Sequence, residues 1–514
     1  MRKSKKSKVG MMISILLVVA FIAGCAGSTE ADQNSSDKTI NRVTYALASD
    51  IGTTEPYNGL DADSYLFQVF SPLTRPDKDG NVVGDLAETF SAVDSVTWEF
   101  KLRQNVKFHN GEAFNADAVK FSIDRLLNPE YNFGFAADYE LIKEVKAIDE
   151  FTVHIVTKEP FNLLPLRLLY LSIVPPKYIE EHGNEYFAEH PVGTGPFEFK
   201  EYVKDDHVTL TAYQDYYNGA PAIDELIFKP IPEEASRIAA LEAGEVDLIQ
   251  GVSSSQIERL EKNEKLEVVS FPTTRSIYIG FDTVNNPVTK NKAFRQALNY
   301  AVDVDSIIEN VLDGKANRLA TVFLSHFKGY TDEVTPYPHD TAKAKELLKE
   351  AGYNNEPLTV VAPTGINNSK EVAEAVANQL REVGVSVTVV QKEYGLFREE
   401  IAAGQPDPLF LFGFGGAFNS AEQISRVGFG SGQRISAYAN PELDELRVKA
   451  AAAVEDAEAD ALWKEFQIKF HEEAPAIFLY QQYSTAVYNK KLVGWQPRKD
   501  EMILFDGASL ATAE

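Results

Sequence analysis

One cysteine, Cys25, and eight histidines, at positions 109, 154, 182, 190, 207, 326, 339 and 471, are the residues of this 514-residue chain most suited to covalent or metal chemistry. No histidines form a close pair with metal-ligand spacing. His471-Glu472 supplies half of an H-E-x-x-H zinc motif and no more. Gly428-Phe429-Gly430-Ser431-Gly432 is rich in glycine, but it lacks a strand-to-helix context and reads as a loop. There is no G-x-S-x-G nucleophile elbow, no phosphate-binding G-x-x-x-x-G-K and no C-x-x-C. No catalytic constellation emerges. What remains is the thiol of Cys25 and whatever the body of the chain can bind.

Cys25 ends an export signal. Arg2, Lys3, Lys5, Lys6 and Lys8 form a basic start, residues 9–23 are almost wholly apolar, and Ile22-Ala23-Gly24 puts small residues before the cysteine. The apolar run is shorter than the roughly 20 residues of a comfortable membrane span. Ile-Ala-Gly-Cys resembles the lipobox of bacterial lipoproteins. That resemblance implies cleavage after residue 24, a diacylglyceryl thioether on Cys25 and acylation of the new amino terminus, and two or three acyl chains hold firmly where one is marginal. Residues 26–38, AGSTEADQNSSDK, carry no large apolar side chain, so 25–40 reads as a lipidated cysteine and flexible tether.

About 475 residues follow the tether, enough for two or three domains. With Cys25 lipidated the body has no thiol for disulfides, so its stability must come from core size. Residues 1–24 hold five of the 50 basic residues and none of the 76 acidic ones, so their removal takes the net charge from −26 to −31. Such a surface argues against nucleic-acid binding and would be repelled by an anionic membrane, leaving the lipid as the membrane contact.

The elements that must position any site are mixed α/β. Residues 42–47, 96–102 and 151–156 read as strands, the last two by their two-residue alternation. Residues 115–125 read as a helix capped by Asn115, 233–243 as a helix stopped by Gly244, and 340–351 as a helix capped by Asp340 and stopped by Gly352. Residues 292–302, 443–452 and 460–473 are further helices. Strand 358–362, helix 370–383 and strand 385–390 form a β-α-β unit.

Several of these stretches also carry recognisable motifs: Asp85-Leu86-Ala87-Glu88, Trp98-Glu99-Phe100-Lys101-Leu102-Arg103, Val106-Lys107-Phe108-His109-Asn110-Gly111-Glu112, Val192-Gly193-Thr194-Gly195-Pro196-Phe197, Tyr216-Tyr217-Asn218-Gly219-Ala220-Pro221, Ala243-Gly244-Glu245-Val246-Asp247, Phe294-Arg295-Gln296-Ala297-Leu298-Asn299-Tyr300-Ala301 and Ala344-Lys345-Glu346-Leu347-Leu348-Lys349-Glu350-Ala351-Gly352. In this order, over about residues 41–506, they resemble the bacterial extracellular solute-binding proteins of the peptide/nickel/opine type, family 5, the receptors of ABC importers. The motifs themselves read as structural. Gly193 and Gly195 are expected to give backbone freedom at a turn, and the aromatic residues are mainly core.

The resemblance implies an α/β, two-lobed periplasmic-binding-protein-like fold of the dipeptide-receptor type, with an extra small α/β domain. Lobe I would comprise 41–75, 185–270 and 480–514, the extra domain 76–184 and lobe II 271–479. Chain crossings near Phe271-Pro272 and near Tyr480 would form the hinge, and the ligand would sit between the lobes. It also implies no enzymatic activity and no cofactor. The partners would be a solute, foremost a peptide or peptide-like compound, and the permease of an importer. The receptor would be monomeric, extracytoplasmic and lipid-anchored to the cell membrane. An oligosaccharide, an opine or a nickel chelate is an alternative ligand, and a lipid-anchored hydrolase or a surface receptor is the reading from another class.

Dipeptide receptors of this family hold the ligand's amino group with an Asp in a glycine-rich loop and its carboxylate with an Arg. Here the loop is Gly413-Phe414-Gly415-Gly416-Ala417-Phe418-Asn419, with Ala417 at the Asp position, and Pro363-Thr364-Gly365-Ile366-Asn367-Asn368 has no Arg. A buried charge needs a partner, so a zwitterionic dipeptide is disfavoured. Candidate ligand contacts are Phe414 and Phe418 by stacking or as core, Asn419 by hydrogen bonding, Arg275 and Arg434 by pairing with a carboxylate or in surface ion pairs, and Tyr57 after the first strand. No histidine lies in 413–434, which disfavours nickel.

Overall fold

The computed structural model describes residues 40–511, apart from 59–63, 78–80, 328, 416–419, 434 and 454. Cys25 and the tether therefore lie outside the described residues. No described helix is long and apolar enough to cross a membrane.

The local patterns of the sequence reappear as elements. Strand Arg42–Leu47 has one exposed residue followed by five buried ones. Asn115 caps helix Ala116–Leu127, its side chain accepting from the Ala118 amide at 3.2 Å. Asp340 does the same for helix Thr341–Glu350, accepting from Lys343 at 2.9 Å. Gly244 ends helix Glu234–Ala243 in a left-handed conformation, φ 77°. Strands Leu358–Pro363 and Val387–Lys392 run parallel, linked by helix Ser369–Glu382.

An eleven-stranded sheet organises the body. From one edge its strands are Val387–Lys392, Leu358–Pro363, Leu409–Phe414, Leu266–Phe281, Ala476–Asn489, Leu248–Gln250, Arg42–Leu47, Glu225–Pro230, His207–Ala212 and Phe197–Val203, with Ala316–Arg318 added against Ala476–Asn489. The two central strands, 16 and 14 residues long, are antiparallel and belong to both halves of the sheet. Their register runs regularly to Pro272↔Tyr483 and resumes at Ser276↔Gln481, so Thr273, Thr274 and Arg275 bulge against Gln482 alone.

The buried side chains change partners across this bulge. Phe271 belongs to a first core that includes Val43, Tyr45, Phe228 and Ala486. Ile277 and Ile279 belong to a second core with Val360 and Leu411, whereas the intervening Tyr278 joins a third with Val361, Phe410 and Phe412. Alternation along the strands sends successive side chains to opposite faces of the sheet.

A separate four-stranded antiparallel sheet runs in the order Ala87–Ala92, Thr97–Leu102, Thr152–Thr157, Ile142–Asp149. Its buried residues, with those of helix Ala116–Leu127, are continuous with the first core.

The motifs lock onto one another. His109 lies between the backbones of two glycines: its amide donates to Gly193 O at 2.9 Å, its Nδ1 accepts from the Gly193 amide at 3.3 Å, and its Nε2 is 3.0 Å from Gly195 O. With Nδ1 an acceptor, Nε2 carries the proton in the neutral ring. Burial pushes the His109 pKa down to about 4, against the opposing bond to Gly195. Asp85 accepts from the Tyr217 hydroxyl at 2.6 Å, joining two further motifs. Burial raises the Asp85 carboxyl, and the Tyr217 bond partly offsets this. The expected role of Gly193 and Gly195 is corrected. Neither has positive φ. A Cβ on them would lie 2.0 Å from Val69 O and 2.3 Å from Gln68 O, so close backbone approach is what demands glycine.

Two outcomes follow. Gly195→Ala should cost about 1–3 kcal/mol by overpacking against rigid backbone, read as a lower urea midpoint, while Gly134→Ala, where a Cβ would meet nothing nearer than 3.8 Å and φ is not positive, should lose less than the Gly195 variant. His109, neutral in the fold down to about pH 4, is protonated below about 6.5 when unfolded. Its contribution is therefore intact above 6.5 and is lost as pH falls from 6.5 toward 4. His109→Gln should flatten that part of the stability–pH curve; an unchanged slope between wild type and variant would contradict the assignment.

Candidate functional site

A cavity of about 940 Å³ opens where the first and third cores face one another. It is near the upper end of the roughly 300–1,000 Å³ of typical small-molecule sites. One wall comes from residues 75–98 and 162–170, the opposite wall from Thr274, His326, Ser420, Ala421, Glu422 and Trp463, and a third side from residues 494–506.

The first wall is apolar and aromatic. Trp98, on strand Thr97–Leu102, has its indole N–H fixed to Phe161 O at 3.1 Å and its ring 6.5 Å from Phe90. Leu163, Leu166, Leu169 and Tyr170 extend this wall. They come from a short helical stretch, Leu164–Arg167 followed by Leu168–Tyr170, and Phe161 and Leu166 pack against both the first and the third core.

The polar rim is nearly charge-balanced by the protein itself. Glu422 accepts from Arg167 Nη2 at 2.7 Å and Arg426 Nε at 2.9 Å. Burial raises its carboxyl, but the three arginines Arg167, Arg426 and Arg447 outweigh this and leave it below the usual carboxylate range. Arg498 binds Asp500 through Nε at 3.0 Å and Nη2 at 2.6 Å. Arg75 lies 3.7 Å from Asp506. Asp77 accepts from the Asn81 amide at 2.9 Å and its side chain at 3.1 Å. Of the lining arginines and lysines, Arg75 and Arg498 are ion-paired and Lys499 has no ion-pair partner among the described residues. Its backbone carbonyl accepts from Thr274 at 2.7 Å, so the C-terminal segment is tied to the bulge between the sheet halves.

The candidate ligand contacts from the sequence have different fates. Tyr57 is in the core: it is 1% exposed, its hydroxyl donates toward Ser172 O at 2.9 Å and Ser122 O at 3.1 Å, and Arg125 lies 5.0 Å above its ring. The expectation that it lines a cleft is corrected, because both faces and the hydroxyl are used internally. Arg275, in the bulge, is 3.3 Å from Glu501, and its stem packs over Gly415, where a Cβ would lie 2.9 Å from Arg275 Cα. It borders the cavity through its neighbour Thr274 and does not line it. Phe414, opposite Ser276 in the sheet, packs against the third core and is likewise absent from the cavity wall. Ala417, Phe418, Asn419 and Arg434 lie outside the described residues, which resume at Ser420 on the cavity wall. The structure thus brings none of the described candidates together in the cavity.

The residues missed are Trp98, Asn162, Glu422, Trp463 and Lys499. The i, i+4 spacing of Glu422 and Arg426 was a legible signal of a local pair; nothing local announced Arg167, which sits in an apolar run. Among the described residues there is no group of three or more His, Cys, Asp or Glu placed to hold a metal ion.

Residues 81–434 match the family described as bacterial extracellular solute-binding proteins, family 5 Middle. The glutathione-binding protein GsiB of Pectobacterium atrosepticum is 30% identical over 502 residues, covering 94% of this chain and 97% of that protein. Among solved structures, NikZ from Campylobacter jejuni in complex with Ni(L-His) aligns with TM-score 0.79 at 26% identity, covering 88% of this chain and 95% of that one. The substrate-binding protein CtaP of Listeria monocytogenes shares the fold at TM-score 0.84 and 23% identity, covering 92% and 99%.

Proposed function

The chain belongs to the family 5 bacterial extracellular solute-binding proteins, the extracytoplasmic receptors of ABC importers, and from that premise we propose that its ligand is a short peptide with a free carboxylate, with glutathione the first compound to test. The observation that carries this reading is the unpaired cation on the cavity wall. Glu422, Asp500 and Asp506 face internal cations. Lys499 is the lining cation without an ion-pair partner among the described residues, and it suits a carboxylate. The aromatic wall of Phe90, Trp98 and Tyr170 suits a carbon skeleton, and the volume admits a tripeptide with water. The similarity to a glutathione-binding protein points the same way. The ligand is captured and released unchanged, by a monomer.

We also propose that Cys25 carries the lipid that keeps the receptor at the membrane. The export signal and the polar tether that follows support this, together with an acidic body that gives the membrane surface no electrostatic grip.

Calorimetry and native mass spectrometry on the chain from Ala26, with glutathione, a tetrapeptide and a nickel–histidine chelate, test the ligand. Glutathione or the tetrapeptide should bind and be recovered with unaltered mass, and Lys499→Met should weaken binding about tenfold, or about 1.4 kcal/mol. Binding of the nickel chelate alone would overturn the peptide reading, and so would full affinity in Lys499→Met. For the anchor, cells expressing wild type should incorporate labelled palmitate into the protein and Cys25→Ser should not. Equal labelling of the two would remove Cys25 as the attachment site.

A further inference from the structure

A ring of charged side chains meets the cavity wall at Glu422. Asp138 and Arg167 come from the short helices Ala136–Tyr139 and Leu164–Arg167, whose buried residues Tyr139 and Leu164 lie in the first core. Glu422, Arg426 and Arg447 come from Ala421–Gln423, Ile424–Gly428 and Pro441–Ala452, whose buried residues Ala421, Ile424 and Leu443 lie in the third core. Glu422 accepts from Arg167 at 2.7 Å and Arg426 at 2.9 Å, with Arg447 at 3.7 Å. Asp138 completes the ring, 3.3 Å from Arg426 and 3.6 Å from Arg167. Beside it, the Asn162 amide donates to Ala451 O at 3.0 Å, its side chain donates to Ala453 O, and Leu163 is buried in the third core.

We propose that this ring is a latch by which the protein itself, rather than the ligand, sets how readily the cavity closes; the proposal rests on the reading of the chain as a receptor that closes around a solute. Arg167 and Glu422 have side chains each 4% exposed. Apart, each would be hydrated. Together they are desolvated, and a buried ion pair is tolerated only when every partner is in place. The closed form is therefore conditional on the whole ring. A receptor whose competent state is partly populated binds with an affinity reduced by that fraction, so loss of one member should weaken ligand binding without touching ligand. Of the ring only Glu422 lines the cavity. Arg167 and Asp138 stand behind the wall and separate latch effects from direct ligand contact.

The test combines small-angle scattering of the ligand-free chain with calorimetric titration of glutathione. Arg167→Met and Glu422→Gln should each raise the ligand-free radius of gyration and weaken glutathione at least tenfold. The double variant should weaken it by less than the product of the two, because it leaves fewer uncompensated charges. Asp138→Asn, on a carboxylate 28% exposed, should do the same more mildly and keeps the test open should a buried-charge variant fail to fold. Unchanged scattering, with glutathione weakened only by Glu422→Gln, would overturn the latch and make Glu422 a simple ligand contact. A wild type that binds no glutathione, but whose radius still rises in the variants, would leave the latch standing and remove glutathione as the ligand.

Discussion

The constraint on which the rest of the structure depends is the pairing of Leu266–Phe281 with Ala476–Asn489 through a three-residue bulge. Each strand donates its first half to one part of the sheet and its second half to the other. The bulge is not left to backbone pairing alone. Thr273 Oγ1 donates to Gln482 O at 2.8 Å, Gln481 Nε2 returns to Thr273 O at 2.7 Å, and the Thr274 amide reaches Lys499 O at 2.7 Å. These bonds satisfy groups that the register shift would otherwise strand, since a buried backbone group without a partner is costly. They also fix where the first core ends and the second begins, between Phe271 and Ile277. The cavity lies where it does because the sheet halves meet there and the C-terminal segment is tied to the same three residues.

Charge follows the same logic of local compensation. The chain is strongly acidic overall, yet two of its buried acids are held in ion pairs: Glu55 with Arg125 at 2.7 Å, Glu422 with Arg167 at 2.7 Å. The first pair lies within one core and contributes rigidity beneath Tyr57. The second joins two cores. A pair of similar geometry thus has different consequences according to what its partners are attached to: the first constrains a fold, the second constrains a relation between parts of it.

Local structure was legible in the sequence because local physics decides it. The caps Asn115 and Asp340 and the stop at Gly244 need only neighbours within a turn. The motif order pointed to the architecture, and two motif contacts, His109 with Gly193 and Asp85 with Tyr217, show that these residues hold the fold together. The site was much less legible. Arg167 and Glu422 are 255 residues apart, and no periodicity announces such a pair. Tyr57 follows a strand in the way a cleft residue would, but Arg125 and Phe133 enclose it. Gly193 looked like a turn glycine because the sequence does not display the backbone of Val69 lying against it.

This division has a physical reason. Residues that interlock the fold are constrained by backbone approach and buried hydrogen bonds, so few residue types satisfy them. The cavity is built from segments outside those interlocks: the stretch 162–170, the turn around Ser420 to Glu422, and the loop 494–506. Side chains there need only fill volume and balance charge, and many sets of residues can do both. Proteins similar to this chain are accordingly described with glutathione in one case and a nickel–histidine complex in another. The proposed recognition is accordingly read from the unpaired cation and the wall chemistry of this one cavity, Lys499 and the Trp98 wall.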